Sequence, residues 1–280
     1  MLKEDEVSFI FENACIPEHI PIYFSSISKM EPFLFNNYLC YRGDGTIVII
    51  GYPFKENFNE KKLIDVMKNI IAKSNPNKLA IIAPRLPTSS FYNITSVKRD
   101  FYYKLDISSL ILNKKLRNLL KRASKELTIE VGRTFPKEGE KLILEFCRRK
   151  DVNSYMKFIC KELPNYVSSS ATALVLSTYN KKGNLVAFDI AEFWSKEYVF
   201  YMFNFMTRKE NYVPGASDLL LYELIKKARS TGKDKINMGL GINDRVTKFK
   251  LKWGSKKFLP YEYGVYQPLI AIIELLRAIS

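Results

Sequence analysis

The stretch from Asn211 to Gly254, NYVPGASDLLLYELIKKARSTGKDKINMGLGINDRVTKFKLKWG, constrains this chain more than any other. A Pro-Gly turn opens an amphipathic helix, a Gly turn closes it, and a short strand, INMG, follows. A turn carrying Gly239, Gly241, Asn243 and Asp244 then leads into a basic segment that ends at Gly254. A Gly-bearing turn ahead of a helix and a strand exposes the helix N-terminus. Free N–H groups and the helix dipole attract phosphate there.

Charge points the same way. The chain has 280 residues, with 44 basic and 29 acidic side chains, for a net charge of +15. That excess suits an anionic partner such as tRNA, a nucleotide cofactor or a lipid surface, and equally suits a solvated Lys-rich surface. The 47% hydrophobic content supports a packed core, and 19 Phe and 17 Tyr suit clefts that accept rings or acyl groups. Cys15, Cys40, Cys147 and Cys160 show no C-x-x-C spacing, so neither a disulfide framework nor a zinc site is expected. His19 is the sole histidine, which removes Ser-His-Asp, Cys-His and multi-His metal chemistry. Its setting, PEHIP, reads as a loop or helix start with a structural role. No metal site is expected. The N-terminus, MLKEDEVSF, is acidic and has no apolar core of a signal peptide. No apolar run reaches the roughly 20 residues of a spanning helix. The tail PLIAIIELLRAIS is interrupted by Glu274 and Arg277. A cytoplasmic location is expected, with peripheral membrane contact left open.

The chain reads as two halves, 1–112 and 113–280. In the first, strands at Tyr38–Tyr41 and Ile47–Gly51 flank an Arg-Gly-Asp-Gly-Thr turn, a helix spans Lys61–Lys73, and strands follow at Leu79–Ala83 and Val97–Leu105. In the second, strands at Thr172–Ser177, Leu185–Ala191 and Tyr198–Phe205 precede a helix over Ala216–Ser230 and a strand at Lys235–Met238. Helices interleaved with strands make an α/β layer architecture. Between the halves, NKKLRNLLKRASKELTIEVGR predicts a helix whose apolar face holds Leu116, Leu119, Leu120 and Ala123. Lys114, Arg117, Lys121 and Lys125 line its other face, and no acid interrupts it before Glu126. Arg117, Lys121 and Arg122 are candidates for contact with donor phosphates.

These segments carry a resemblance. LRNLLKRASKELTIEVG resembles the helix and strand that open the C-terminal domain of phosphatidylglycerol lysyltransferases, and the matching region of Fem-type aminoacyltransferases. PGASDLLLYELIKKARSTGKDKINMGLGIN with FKLKWG resembles the helix, "dlG" strand and closing "fK-x-x-fG" element of the same families. The matched pieces span about Lys114 to Tyr266, a little over half of the chain. The resemblance implies tandem domains of the Gcn5-related N-acyltransferase fold, each a mixed, mostly antiparallel sheet flanked by helices. The first would be a degenerate copy, and the second would carry the active cleft. It implies a donor that is usually aminoacyl-tRNA and an amine or hydroxyl acceptor, small molecule or peptide. The Q/R-x-x-G-x-G/A pyrophosphate loop of acetyl-CoA users is not matched: RKENYVPGA has one Gly before Ala216. That departure favours tRNA over coenzyme A, and no tightly bound cofactor is expected. A coenzyme A thioester or acyl carrier protein remains the alternative donor, and a non-catalytic RNA-binding module on the same fold is the alternative class.

Acyl transfer to an amine needs two positioned substrates and a stabilised oxyanion. Asp189 and Glu192, in VAFDIAEF, fall on opposite faces of a regular strand. Asp189, within an apolar run, is the candidate general base, and Asn204, between aromatics, the candidate substrate-positioning residue. Tyr222 is a third catalytic candidate, although packing explains it better. Asp218 reads as a dipole complement at the helix start. Gly215 and Ala216 offer backbone N–H groups to the donor, and Asn243 reads as a helix cap at its edge. Lys248 and Lys250 belong to a run of six basic residues without an acid from Arg245 to Lys257. Lys250 matches the family's "fK" lysine, which implies phosphate or carbonyl contact. The chemistry is expected where strands Tyr198–Phe205 and Lys235–Met238 diverge. An enzyme should show a deep pocket meeting Asp189, Asn204 and Lys250; a binding module should show a shallow basic surface.

Overall fold

A computed structural model of the chain describes residues 2–88, 92–149, 152–208 and 211–268. The helices and strands run α1 (Glu4–Asn13), a 3₁₀ turn (Pro17–His19), α2 (Pro21–Ser28), β1 (Glu31–Phe35), β2 (Tyr38–Gly43), β3 (Thr46–Ile50), α3 (Glu60–Ser74), β4 (Lys78–Ala83) and β5 (Tyr92–Asp106). They continue α4 (Lys114–Glu126), β6 (Leu127–Gly132), α5 (Gly139–Cys147), α6 (Ser154–Ser169), β7 (Ala173–Asn180), β8 (Leu185–Glu192) and β9 (Tyr198–Met206). The last are α7 (Ala216–Ser230), β10 (Lys235–Leu240), α8 (Asp244–Lys252) and β11 (Lys256–Pro268). The apolar tail singled out above, 269–280, lies outside the described residues.

Local chemistry explains the helix ends. Asn59, Asn113 and Asn243 cap α3, α4 and α8, their side chains accepting from Lys62 N, Leu116 N, and both Arg245 N and Val246 N. The apolar positions then fall on one face: Leu63, Val66, Met67, Ile70 and Ile71 of α3 are buried, as are Leu116, Leu120 and Ala123 of α4. Leu219, Leu220, Leu221, Leu224 and Ile225 are buried all round α7, so this helix is a core element rather than a surface one.

The strands form an 11-stranded sheet in the order β1-β2-β3-β4-β11-β5-β10-β9-β8-β7-β6. Pairing is antiparallel except for β3 with β4 and β9 with β10. Outward from the central β11–β5 pair the two sides match strand for strand: β4 with β10, β3 with β9, β2 with β8 and β1 with β7. Each parallel pair is spanned by a helix, α3 on one side and α7 on the other. The two sides also exchange their last long strands. β5, early in sequence, pairs with β10, and β11, at the end, pairs with β4. Two segments distant in the chain are thereby fused into one mixed α/β sheet.

One face of the sheet carries α3 beside β2–β4, and α4, α7 and α8 beside β7–β10. The other carries α1 and α2 over Leu39, Tyr41, Ala80, Ile82 and Tyr102, and α5 and α6 over Val175, Phe188, Ile190 and Phe205. Tyr103 and Tyr102, neighbours on β5, point to opposite faces as strand alternation requires. The 3₁₀ turn ties the N-terminus to the sheet. His19 is buried, with Nε2 3.1 Å from Tyr52 O, and burial pulls its ring down to about 3. It is a structural, neutral imidazole.

Candidate functional site

The two parallel pairs differ in one respect. β3 and β4 stay in register along the whole pair, from Thr46 against Lys78 to Ile50 against Ile82. β9 and β10 pair only at Tyr198–Lys235, Val199–Ile236 and Phe200–Asn237. Beyond Phe200 and Asn237 the strands part, β9 running on to Met206 and β10 to Leu240. Irregularities on both flanks open this gap. β9 bulges against β8 opposite Ile190 and Ala191, and β10 slips against β5 between Asn237 and Leu240. Gly239 takes φ +71° in that slip. The wholly buried Asn237 fixes it, donating to Cys15 O at 2.7 Å and accepting from Gly239 N at 2.8 Å. The cleft thus opens in the second half of the sheet, while its counterpart in the first half is closed.

Beside the gap lies a buried polar network on the α7 face. Asp189 is 0% exposed. Its Oδ1 accepts from Asn204 Nδ2 at 2.6 Å and from the Tyr201 hydroxyl at 3.3 Å, and Ser217, in the first turn of α7, donates to Asn204 Oδ1 at 3.0 Å. Asp189 Oδ2 meets no hydrogen-bond partner among the described residues. Burial pushes the carboxyl well above its ordinary range; the bonds from Asn204 and Tyr201 pull against that, and Asp218 adds to it. Once ionised, a carboxyl whose pKa is raised by burial is a stronger base than an ordinary carboxylate, and its open Oδ2 can accept a proton from an approaching nucleophile. Glu192 points to the other face, where it accepts from Tyr166 and Ser170. Asp189 is therefore a core carboxyl rather than a solvated strand end, and Asn204 is the group that holds it. Sequence reading missed Tyr201 and Ser217: plain alternation along YVFYMFNF sets Tyr201 and Asn204 on opposite faces, and only the β9 bulge brings both to Asp189.

The start of α7 is covered. Gly215 takes φ +88°, and a Cβ there would stand 3.0 Å from Leu119 Cγ and 3.3 Å from Ala123 Cβ, both on α4. Ala216, Ser217 and Asp218 are all buried. Asp218 does not cap its helix. Its carboxylate accepts from Trp253 Nε1 at 2.9 Å and pairs with Lys252 Nζ at 2.5 Å, because the end of α8 docks against this turn. The start of α7 is thus buried, with α4 packed over it and the Asp218 carboxylate engaged by the end of α8 beside it.

The remaining candidates divide between buried and exposed. Lys250 is buried, donates to Leu240 O beside the gap and lies 5.7 Å from the Tyr103 ring centroid. Burial pulls its amine down to about 7, with Asp100 pulling the other way. Tyr222 packs against the core beneath Lys226, whose Nζ lies 5.5 Å from the ring centroid, and takes no part in the Asp189 network. Asn243 is occupied in capping α8, and Lys248 is exposed on that helix. Arg117, Lys121 and Arg122 are exposed on α4. A cavity of about 600 Å³ lies between the start of α4 and the end of α8, lined by Leu110, Leu116 and Trp253 with Lys104, Lys252 and Lys256. Asp189, Asn204 and Lys250 do not line it. The structure brings Asp189 and Asn204 into contact, and Lys250, which shares no hydrogen bond with them, lies across the gap beside Gly239.

No protein-family model matches the sequence, and no curated protein matches it. Solved structures do match. L-PGS from Bacillus licheniformis superposes at TM-score 0.56 and 15% identity over 99% of this chain and 95% of that one. The C-terminal domain assigned to a lysylphosphatidylglycerol synthetase from Agrobacterium fabrum matches at TM-score 0.52 and 13% identity, covering 92% and 89%. A GCN5-related N-acetyltransferase from Kribbella flavida matches at TM-score 0.50 and 9% identity, covering 91% and 98%. At such identities the likeness is one of fold. The chain has the GCN5-related acyltransferase fold, in a form shared with the C-terminal domain of lysylphosphatidylglycerol synthetases.

Proposed function

We propose that this protein is an acyltransferase that moves an aminoacyl group from tRNA to an amine or hydroxyl acceptor at the gap between β9 and β10. One observation carries the choice of donor: α4 packs over the N-terminus of α7 and turns a cationic face outward. In this fold the exposed start of that helix would receive a coenzyme A pyrophosphate, and here Leu119, Ala123 and the Asp218 carboxylate occupy the approach. The exposed Arg117, Lys121 and Arg122 offer instead a surface that suits an extended phosphate backbone. Lys104, Lys252 and Lys256 around the neighbouring cavity extend that charge toward the sheet.

The chemistry follows from the gap. The acceptor nucleophile attacks the ester carbonyl of the donor. The developing oxyanion meets the backbone of β9 where it parts from β10 beyond Phe200. Asp189, held by Asn204 and Tyr201, takes the proton from the nucleophile, and that proton passes to the terminal ribose oxygen of the tRNA as its bond to the carbonyl carbon breaks. Lys250, close to neutrality at about 7, sits where it can steady the carbonyl or the leaving oxygen. The fold-level likeness to the C-terminal domain of a lysylphosphatidylglycerol synthetase supports the same reading.

The test is tRNA binding followed by fluorescence anisotropy across a salt series. Replacing Arg117, Lys121 and Arg122 by Ala should weaken binding and flatten the log–log salt slope by about one unit for each lost phosphate contact. Unchanged affinity and slope would reject tRNA as the donor and favour a thioester.

A further inference from the structure

The face opposite Asp189 holds a second charged centre, which the transfer chemistry above does not use. Glu18, in the 3₁₀ turn between α1 and α2, sits where several tyrosines converge. The Tyr102 hydroxyl donates to Glu18 Oε2 at 2.7 Å, and the Tyr41 hydroxyl donates to the backbone carbonyl of Glu18 at 2.8 Å. The Tyr102 ring lies 5.5 Å from that of Tyr261, edge to face, and 6.0 Å from that of Tyr52. Tyr23 from α2 and Tyr155 from the start of α6 stand nearby: burial raises both phenols, and the Glu18 charge adds to the rise.

Two properties separate this cluster from an ordinary core. First, Glu18, Tyr23 and Tyr261 are surrounded by protein yet each keeps some contact with solvent, and Tyr155 at the outer edge is 62% exposed. The carboxylate therefore stands in a partly exposed, tyrosine-lined setting. Second, the carboxylate lacks a counter-charge. Among the described residues no Lys or Arg forms an ion pair with Glu18, and burial pushes its carboxyl upward. A desolvated carboxylate held only by the Tyr102 hydroxyl and its own backbone N–H is costly to hold, and an incoming cation offsets that cost. The surrounding rings add to the pull, since the faces of tyrosines attract ammonium groups within about 6 Å. The rim already shows this preference: Lys98 places its ammonium 5.8 Å from the Tyr155 ring and 6.0 Å from that of Tyr263. One carboxylate amid neutral phenols is a poor set of ligands for a metal ion, and no group of three metal-ligating residues occurs among the described residues.

The Glu18 cluster borders the slip that opens the gap. Tyr102 is paired with Leu240 of β10 and Leu259 of β11, and both neighbours slip out of register beside it. Leu240 is the first β10 residue past the slip that opens the gap. Tyr23 reaches Phe203, on β9 beyond the point of divergence, with centroids 6.3 Å apart. A group seated at Glu18 therefore lies on one face of the sheet, and the Asp189 network on the other, with the parted strands between them.

We propose that Glu18, walled by Tyr23, Tyr102, Tyr155 and Tyr261, is a binding subsite for the ammonium group of a substrate. This deepens the transfer reading and rests on it: one reactant carries an organic cation, supplied either by the acceptor amine or by the amino group of the aminoacyl donor.

Isothermal titration of the full chain tests the subsite directly, without any transfer step. Pentylamine and 1,5-diaminopentane serve as probes, with 1-pentanol as the neutral control. The amines should bind and the alcohol should not. Glu18→Gln retains an oxygen for the Tyr102 hydroxyl and should weaken amine binding about tenfold or more. Tyr261→Leu should weaken it similarly, while Tyr261→Phe, which keeps the ring, should retain most of it. Binding of 1-pentanol as tight as the amine, absence of amine binding in the wild type, or equal affinity in Glu18→Gln would each overturn the proposal. Competition by a 3′-aminoacylamino-3′-deoxyadenosine would assign the cation to the donor, and its absence would assign it to the acceptor. Loss of tRNA binding with amine binding intact would reject the donor reading alone; the reverse would reject the subsite alone.

Discussion

Asp189→Asn separates the two roles that the buried carboxyl combines. Asn keeps an accepting oxygen for Asn204 Nδ2 and the Tyr201 hydroxyl, at 2.6 and 3.3 Å in the wild type, and removes the charge. The wild-type carboxyl is 0% exposed and its Oδ2 has no partner among the described residues. Burial holds its folded-state pKa well above the ordinary carboxylate value. Between those two values the native state keeps a proton that the unfolded chain has released. Stability is then greatest at pH values below the unfolded pKa, and it falls as pH rises toward the folded pKa. Asp189→Asn abolishes that fall. At pH 8 it should be the more stable protein by at least about 1 kcal/mol, the lower end of the cost of a buried group without its partner. At acid pH the two should converge. Asp189→Ala differs because it orphans both donors, at about 1–3 kcal/mol each, with the lower end for the half-buried Asn204. Guanidinium melts at pH 5 and pH 8, compared at constant m-value, give all three numbers. With a substrate in hand, kcat of Asp189→Asn should fall about 10²-fold if the carboxyl is the base. An Asn variant less stable than wild type at pH 8 would refute the argument, since it would mean the carboxylate is a stabilised ion.

Three further perturbations test other parts of the site. Gly215→Ala should destabilise by about 1–2 kcal/mol or more, because φ +88° is costly for a side chain and the new Cβ would press on Leu119; thermal melts check it. His19→Asn should flatten the pH dependence of stability between pH 6.5 and 3. There the unfolded chain binds a proton that the buried ring refuses, so stability present above pH 6.5 is lost as pH falls, by about 5 kcal/mol across the window. Acid titrations followed by circular dichroism read the difference, and superimposable curves would show the ring charges freely. Lys250→Met should raise stability near pH 7, because between about 7 and the ordinary lysine value the unfolded chain keeps a proton that the buried amine gives up, while raising KM for the donor. Unchanged KM would remove Lys250 from the site.

Much of the architecture is written locally. The three strands β7–β9 and helix α7 are legible in sequence because their apolar periods and bounding Gly and Asn residues are short-range signals. Asn113 and Asn243 cap the helices they precede for the same reason. β1 and β11 escape such reading. EPFLF is short and begins beside a proline, and KKFLPYEYGVYQP mixes charge, Pro and tyrosine in a way that resembles a loop. β11 is a strand because β4 and β5 each lack a partner on their facing edges. Only long-range pairing between residues near 80–100 and near 260 supplies that reason.

The site divides along the same line. The sequence by itself singled out Asp189, Asn204 and Lys250, since polar groups amid apolar and aromatic neighbours mark themselves. Their states required the tertiary structure. Asp189 could have been a solvated strand end, Asp218 a helix cap and Lys250 a surface lysine, and their local sequences are compatible with each. Docking of α7 and α8 buried all three, leaving Asp218 on Trp253 and Lys250 on a backbone carbonyl. Glu18 is the extreme case. In PEHIP it looks like an acid at a helix start. Its meaning comes from Tyr102 and Tyr261, which lie far along the chain and are brought to it by the central strand pair. Hydrophobic period and capping depend on neighbours in sequence, so a sequence encodes them visibly. Desolvation and charge pairing depend on neighbours in space, and those are set only when the strands exchange and the sheet closes.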